Sequence, residues 1–162
     1  MAFTQNEADY KEHARRIPRP SHNFVPEYQM SGIPHVQTIS LPANAGNAAI
    51  AAAIDDYKIT FDHVTRWIEI TNMGASSLRI YFNKTAAQDI HKVGNAEDKH
   101  YYLLGATSTT SRLEVKCKEM YLIADTNDTA LVASVVAGLT NVMSEDFPDQ
   151  TRANGFLGVE DA

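Results

Sequence analysis

The chain has 162 residues, of which 44% are hydrophobic and 21% are charged, and these proportions are typical of one compact globular domain. The formal net charge of −6 disfavours nucleic-acid binding by the body of the protein, because an acidic surface repels phosphate. The single cysteine, Cys117, excludes an intrachain disulfide, and no apolar run is long enough to predict insertion into a membrane.

Proline is concentrated near the start of the chain. Five of the six prolines lie within the first 42 residues. Each proline removes a backbone donor and pushes the preceding residue toward extended geometry. We therefore predict that residues 1–45 form an extended arm without a core of its own.

Basic residues gather over a short span of this arm. Arg15, Arg16 and Arg19 follow Lys11, and they are candidates for contact with an acidic partner surface or with nucleic acid. Three acidic residues, Glu7, Asp9 and Glu12, sit alongside this span, and they favour a solvated run of mixed charge.

The centre of the chain has the two-residue period of β-strands. Tyr57, Ile59 and Phe61 share one face, and polar residues alternate with them. Similar runs, separated by Gly, Asn and Asp turns, predict strands at 66–71, 77–82, 100–104, 112–118, 120–124 and 130–139, with a further candidate at 35–41. This pattern predicts an all-β fold over residues 46–143, an antiparallel β-sandwich or single jelly roll.

Three segments outside these strands are harder to interpret. Residues 43–53 are small and low in complexity, and a loop, a short helix and a strand all stay open. Residues 84–99 are polar, and we expect a long exposed loop that adds no side chains to the core. Residues 144–162 form an acidic tail, in which Phe156 and Leu157 are candidates for docking on a neighbour and a disordered terminus is the alternative.

The sequence contains no pattern typical of catalysis. The histidines lie far apart, and no nucleophile elbow or phosphate-binding loop occurs. Cys117 shares its strand parity with Leu113 and Val115, which predicts a buried, inert thiol. We therefore predict no catalytic residue, no metal site and no cofactor, although a glycosidase built on two carboxylates would need no short motif.

Trp67 is the most informative single residue. It lies opposite in parity to Ile68 and Ile70, which places it on the outer face of a sheet. An aromatic side chain there serves as an interface anchor or as a platform for a sugar ring. Packing between the sheet and the arm is an equally open alternative.

Two sequence blocks resemble a known family. They are VTRWIEITNMG at 64–74 with SLRIYF at 77–82, and LEVKCKEMYL at 113–122 with VVAGLT at 135–140. They resemble the single jelly-roll vertex (penton) proteins of large icosahedral double-stranded DNA viruses, and similar patterns occur in auxiliary head proteins of tailed bacteriophages.

This resemblance implies a structural role. The expected assembly is a homopentamer at each five-fold vertex of a virion, made of subunits that fold in the host cytoplasm and reach neighbours such as the major capsid protein through the arm. The family has no catalytic residues to transfer.

Two alternatives stay open. One is a trimeric decoration or fibre protein of a virus or phage head. The other is a carbohydrate-binding β-sandwich that uses Trp67, Tyr81 or Tyr101 as a stacking platform.

Overall fold

The computed structural model describes residues 32–43, 47–89, 100–126 and 129–149. Within these ranges the chain forms seven strands, two short α-helices and two one-turn 3₁₀-helices. The strands are β1 (Ile33–Leu41), β2 (Lys58–Thr60), β3 (His63–Asn72), β4 (Leu78–Tyr81), β5 (Tyr102–Leu104), β6 (Glu119–Ala124) and β7 (Leu131–Met143). The α-helices are α1 (Asn47–Ala52) and α2 (Lys84–Asp89), and the 3₁₀-helices are Ile54–Tyr57 and Ser144–Asp146.

The strands form two antiparallel sheets. The first sheet has the order β1-β7-β3, and the second has the order β2-β6-β4-β5. Residues 108–117, here called the edge segment, run beside β3 through antiparallel bridges at Ile68–Leu113 and Thr71–Thr109. With the edge segment as a fourth member of the first sheet, this is the strand order of a jelly roll. The all-β sandwich predicted from the sequence is confirmed.

The main core lies between the two sheets. Side chains at alternate positions of each strand point into it, as the two-residue period of a strand requires. Its largest fully buried members include Ile59, Ile68, Ile70, Leu78, Ile80, Met120 and Leu122. Cys117 also lies in this core and is fully buried, which confirms the predicted buried thiol.

A second, smaller core covers the outer face of the second sheet. The rings of Tyr81 and Tyr121 pack under α1, α2 and the first 3₁₀-helix, which itself adds Ile54 and Tyr57 to this cluster. The undecided segment 43–53 therefore contains a helix, whose Ile50 is buried. The prediction that residues 84–99 add nothing to the core is wrong at α2, because the small side chains of Ala86 and Ala87 pack closely against this cluster.

Both predicted boundaries of the sandwich require adjustment. Strand β1 pairs along its whole length with β7, so residues 33–41 belong to the sandwich although they lie within the range predicted for the arm. At the other end, Phe147 is buried against Val64 and Val142, so the start of the predicted tail packs on the body. The rest of the arm, residues 1–31, and the tail from residue 150 lie outside the described residues. No helix among those that are described is long and apolar enough to cross a membrane.

Candidate assembly surface

The outer face of the first sheet differs from that of the second. Between Pro34 and Ser40 of β1, and between Val132 and Gly138 of β7, every residue that points outward is uncharged. None of the described helices packs against this face. These two strands therefore present a weakly polar surface to solvent, and the exposed Glu69 of β3, which pairs with Val136, borders it with a carboxylate.

Exposed aliphatic side chains concentrate on this surface. Val36 is 70% exposed, and its antiparallel partner Val136 is 37% exposed. Val132 is 36% exposed, and the neighbouring Met73 is 58% exposed and hydrogen-bonds through its backbone to Val132. We call these four residues the valine face. Burying one such side chain fully stabilises a complex by roughly 1.5–3 kcal/mol.

A β-bulge shapes one end of this surface. Thr65 pairs with Leu139 and Trp67 pairs with Gly138, so Arg66 is the extra residue between two successive pairs. A bulge interrupts the in-out alternation of a strand, and Arg66 and Trp67 consequently line the same groove. Gly138, the partner of Trp67 in β7, lines the same groove.

Thr65 fixes the inner side of this bulge. Its hydroxyl donates a hydrogen bond to the Val115 carbonyl at 2.8 Å and accepts one from the Cys117 N–H at 2.9 Å. The hydroxyl also lies 3.4 Å from the Cys117 sulfur. Burial raises the pKa of the Cys117 thiol to about 12, so the thiol stays protonated and unreactive at neutral pH.

We call the cavity beside the bulge the tryptophan groove. It is a shallow groove, open to solvent, with a volume of about 440 Å³, and it is lined by Gly32, Ile33, Pro34, Arg66, Trp67, Arg112 and Gly138. The Arg112 guanidinium lies 4.7 Å from the centroid of the Trp67 ring, which is a cation–π contact. The groove therefore combines an aromatic ring with positive charge.

One carboxylate serves both arginines of the groove. The Nε atom of Arg112 lies 2.9 Å from Glu114, and that of Arg66 lies 3.8 Å from the same side chain. Two cations against one anion leave the cluster with a net positive charge. Because both contacts use Nε, the Nη groups retain N–H donors that a further carboxylate can accept.

The edge of the first sheet is also available for pairing. Strand β1 has nine residues, none of them charged, and it is the last strand of its sheet. No strand in the described ranges pairs with its outer edge. Natural proteins usually protect such edges with charge or cover them. The uncharged edge of β1 therefore favours a contact with another polypeptide segment at this side of the sheet.

The structure places one of the predicted interface residues on this surface. Trp67 is half-buried on the outer face, as its parity predicted. The other candidates, Arg15, Arg16, Arg19, Phe156 and Leu157, lie outside the described residues. Tyr81 cannot stack on a sugar, because its ring is fully buried under the helices. The alternation in β4 did not reveal that helices cover this side of the sheet.

Sequence reasoning missed most of the surface. The sequence pattern places Val36, Val132 and Val136 in strands but does not show that they share a face. Val132 and Val136 lie on one side of β7 because they are four positions apart, and the register pairs Val36 with Val136. Arg66 was missed because a bulge has no reliable signal in a single sequence.

A second pocket in the described part of the chain brings Lys84, Lys118, Glu119 and Asp149 together, and Lys118 forms an ion pair with Asp149 there. No group of three or more His, Cys, Asp or Glu side chains in these ranges is placed to hold a metal ion. Comparison with known proteins adds no relative: no protein-family model and no curated protein matches this sequence.

Proposed function

We propose that this chain is a structural, non-enzymatic capsid subunit of a virus, and that five copies form a ring at each vertex of the virion. The observation that carries the proposal is the valine face, which the fold leaves bare while the opposite sheet is covered by helices. Surfaces of this kind mark sites of protein association.

The jelly-roll strand order supports the same proposal. This architecture is common in viral capsid proteins, although it also occurs in lectins and cupins. The sequence blocks at 64–74, 77–82, 113–122 and 135–140 resemble vertex proteins, and in the structure they supply most of β3, all of β4, the second half of the edge segment, most of β6 and the middle of β7.

A closed ring requires two different patches that fit each other. In a cyclic assembly each subunit contacts its neighbours head to tail. We assign one patch to the valine face with the free edge of β1. The arm, residues 1–31, would contact other capsid proteins such as the major capsid protein.

The mass of the purified full-length chain in solution tests the proposal directly. Native mass spectrometry should give five times the 17.9 kDa mass of one chain, and negative-stain images should show five-fold rings. A three-fold complex would replace the vertex assignment with a decoration or fibre protein. A monomer at every concentration tested would contradict the proposal.

A carbohydrate-binding module is the second candidate, and the tryptophan groove is the observation that favours it. Trp67 is flanked by Arg66 and Arg112, an arrangement suited to an acidic sugar. Glycan-array binding that disappears in Trp67→Ala would support this candidate, and an array without binding would contradict it.

A further inference from the structure

The tryptophan groove lies where the described part of the chain begins. Gly32, Ile33 and Pro34 form one wall of the groove, and Arg66, Trp67 and Arg112 lie across from it. The residues that precede Gly32 in sequence are therefore tethered to the groove. A short tether gives a binding segment an effective local concentration in the millimolar range.

The sequence just before Gly32 is complementary to the net positive charge and the aromatic ring of the groove. It reads Phe24-Val25-Pro26-Glu27-Tyr28-Gln29-Met30-Ser31, with one carboxylate followed directly by one aromatic ring. Between residues 13 and 31, Glu27 is the only acidic residue. The groove presents the complementary set, two guanidinium groups that share one carboxylate, next to an indole ring.

We propose that Glu27 and Tyr28 of the same chain occupy the tryptophan groove. The Glu27 carboxylate accepts hydrogen bonds from the Nη groups of Arg66 and Arg112, and the Tyr28 ring packs on Trp67. An extended chain rises about 3.3 Å per residue, so both residues lie within roughly 17 Å of Gly32 along the chain, close enough to fold back into the groove. Pro26 lowers the entropy lost on binding, because it restricts the free segment beforehand.

This contact would fix the direction in which the arm leaves the sandwich. Residues 1–26 would then start from a fixed point beside the bulge in β3. The inference concerns a single chain and does not depend on the proposed pentamer. It applies equally to a dilute monomer.

Trp67 provides a direct readout because it is the only tryptophan in the chain. In the full-length protein, Glu27→Gln and Tyr28→Ser should each raise acrylamide quenching of Trp67, by roughly twofold in the double variant, since quenching follows the exposed area of the indole. The matched controls are Glu12→Gln and Tyr10→Ser, the same changes earlier in the arm. Equal quenching in the wild type and the double variant would overturn the proposal.

A cross-link distinguishes contact within one chain from contact between chains. The double variant Gln29→Cys with Ser111→Cys keeps Glu27, Tyr28 and both arginines, and it should react with a short bis-maleimide to give a cross-linked monomer. The yield should fall when Glu27→Gln is added, and the buried Cys117 should not compete. Products of doubled mass alone, or no cross-link, would overturn the proposal. An acidic sugar that quenches Trp67 equally in the wild type and in Tyr28→Ser would also overturn it, because the groove would then be open in the native chain.

Discussion

The two outer faces of this sandwich differ in how they are covered. On the second sheet, Tyr81, Tyr121 and Ile123 point outward and lie fully buried under two short helices. On the first sheet, Val36 and Val136 point outward and stay exposed. Both faces carry large apolar side chains, but only one of them is part of a folded core.

This difference separates stability from association. Residues on the covered face contribute to the free energy of unfolding of a single chain, because folding removes them from water. The four residues of the valine face stay 36–70% exposed after folding, so a partner can bury the area that folding leaves in water. Substitutions on the two faces should therefore affect different measurements.

The largest effect on folding is expected on the covered face. Tyr121→Ala removes a fully buried ring and its hydrogen bond to Glu119, and it should lower the free energy of unfolding by about 3–5 kcal/mol. Tyr102→Ala in β5 is the matched control, because Tyr102 is exposed. Urea unfolding measures both. Equal losses in the two variants would contradict the division between the faces.

A smaller loss is expected at the bulge behind the bare face. Thr65→Val keeps the shape of the side chain but leaves the Cys117 N–H and the Val115 carbonyl without their partner. An unsatisfied buried group costs roughly 1–3 kcal/mol, which urea unfolding should detect. Trp67 fluorescence should shift as well, because the bulge positions this ring. A stability loss with unchanged fluorescence would show that Thr65 does not position Trp67.

Alkaline pH should act on the covered face. Burial raises the pKa of Tyr81 and of Tyr121 above the ordinary value of 10.0. Above pH 10 the unfolded chain therefore loses phenolic protons that the folded chain retains, and the free energy of unfolding falls as pH rises. Well above pH 10, the free energy of unfolding falls by about 1.4 kcal/mol per pH unit for each tyrosine. Below pH 10 both tyrosines are protonated in the folded and the unfolded chain, so their contribution to stability is fully present.

Tyr81→Phe tests this assignment. The variant should lose the contribution of one tyrosine to the slope between pH 10 and pH 11, while its stability at pH 7 changes little. Urea unfolding at several pH values gives the slope. An unchanged slope would mean that Tyr81 ionises in the folded chain as readily as in the unfolded chain.

The sequence was sufficient for the fold because the strand signal is local. Alternation in β3, β4 and β7 predicted strands close to the observed ones, and the parity of Cys117 predicted its burial. The start of β1 was obscured by Pro34, although an edge strand tolerates a proline. Helix α2 was missed because its core side chains are alanines, which give no apolar periodicity.

The candidate surface was less predictable because it depends on register. The pairing of Val36 with Val136 joins residues a hundred positions apart in sequence, and period-two patterns do not say which strands are neighbours. Parity also cannot distinguish a covered outer face from a bare one. For this reason the sequence predicted both Tyr81 and Trp67 as exposed aromatic residues. In the structure, Tyr81 lies under the helices.

The smallest effect on folding, and the most useful for the comparison, is expected from Val36→Asp. Because Val36 is already 70% exposed, the free energy of unfolding of the monomer should change by less than about 0.5 kcal/mol. Association should weaken at least tenfold, equal to about 1.4 kcal/mol per contact, since the interface would have to desolvate a carboxylate. Thr60→Asp, an exposed change in β2 of the other sheet, is the control and should leave association unchanged. Sedimentation velocity over a concentration series gives both dissociation constants, and equal values for the two variants would mean that the bare face is not where the subunits meet.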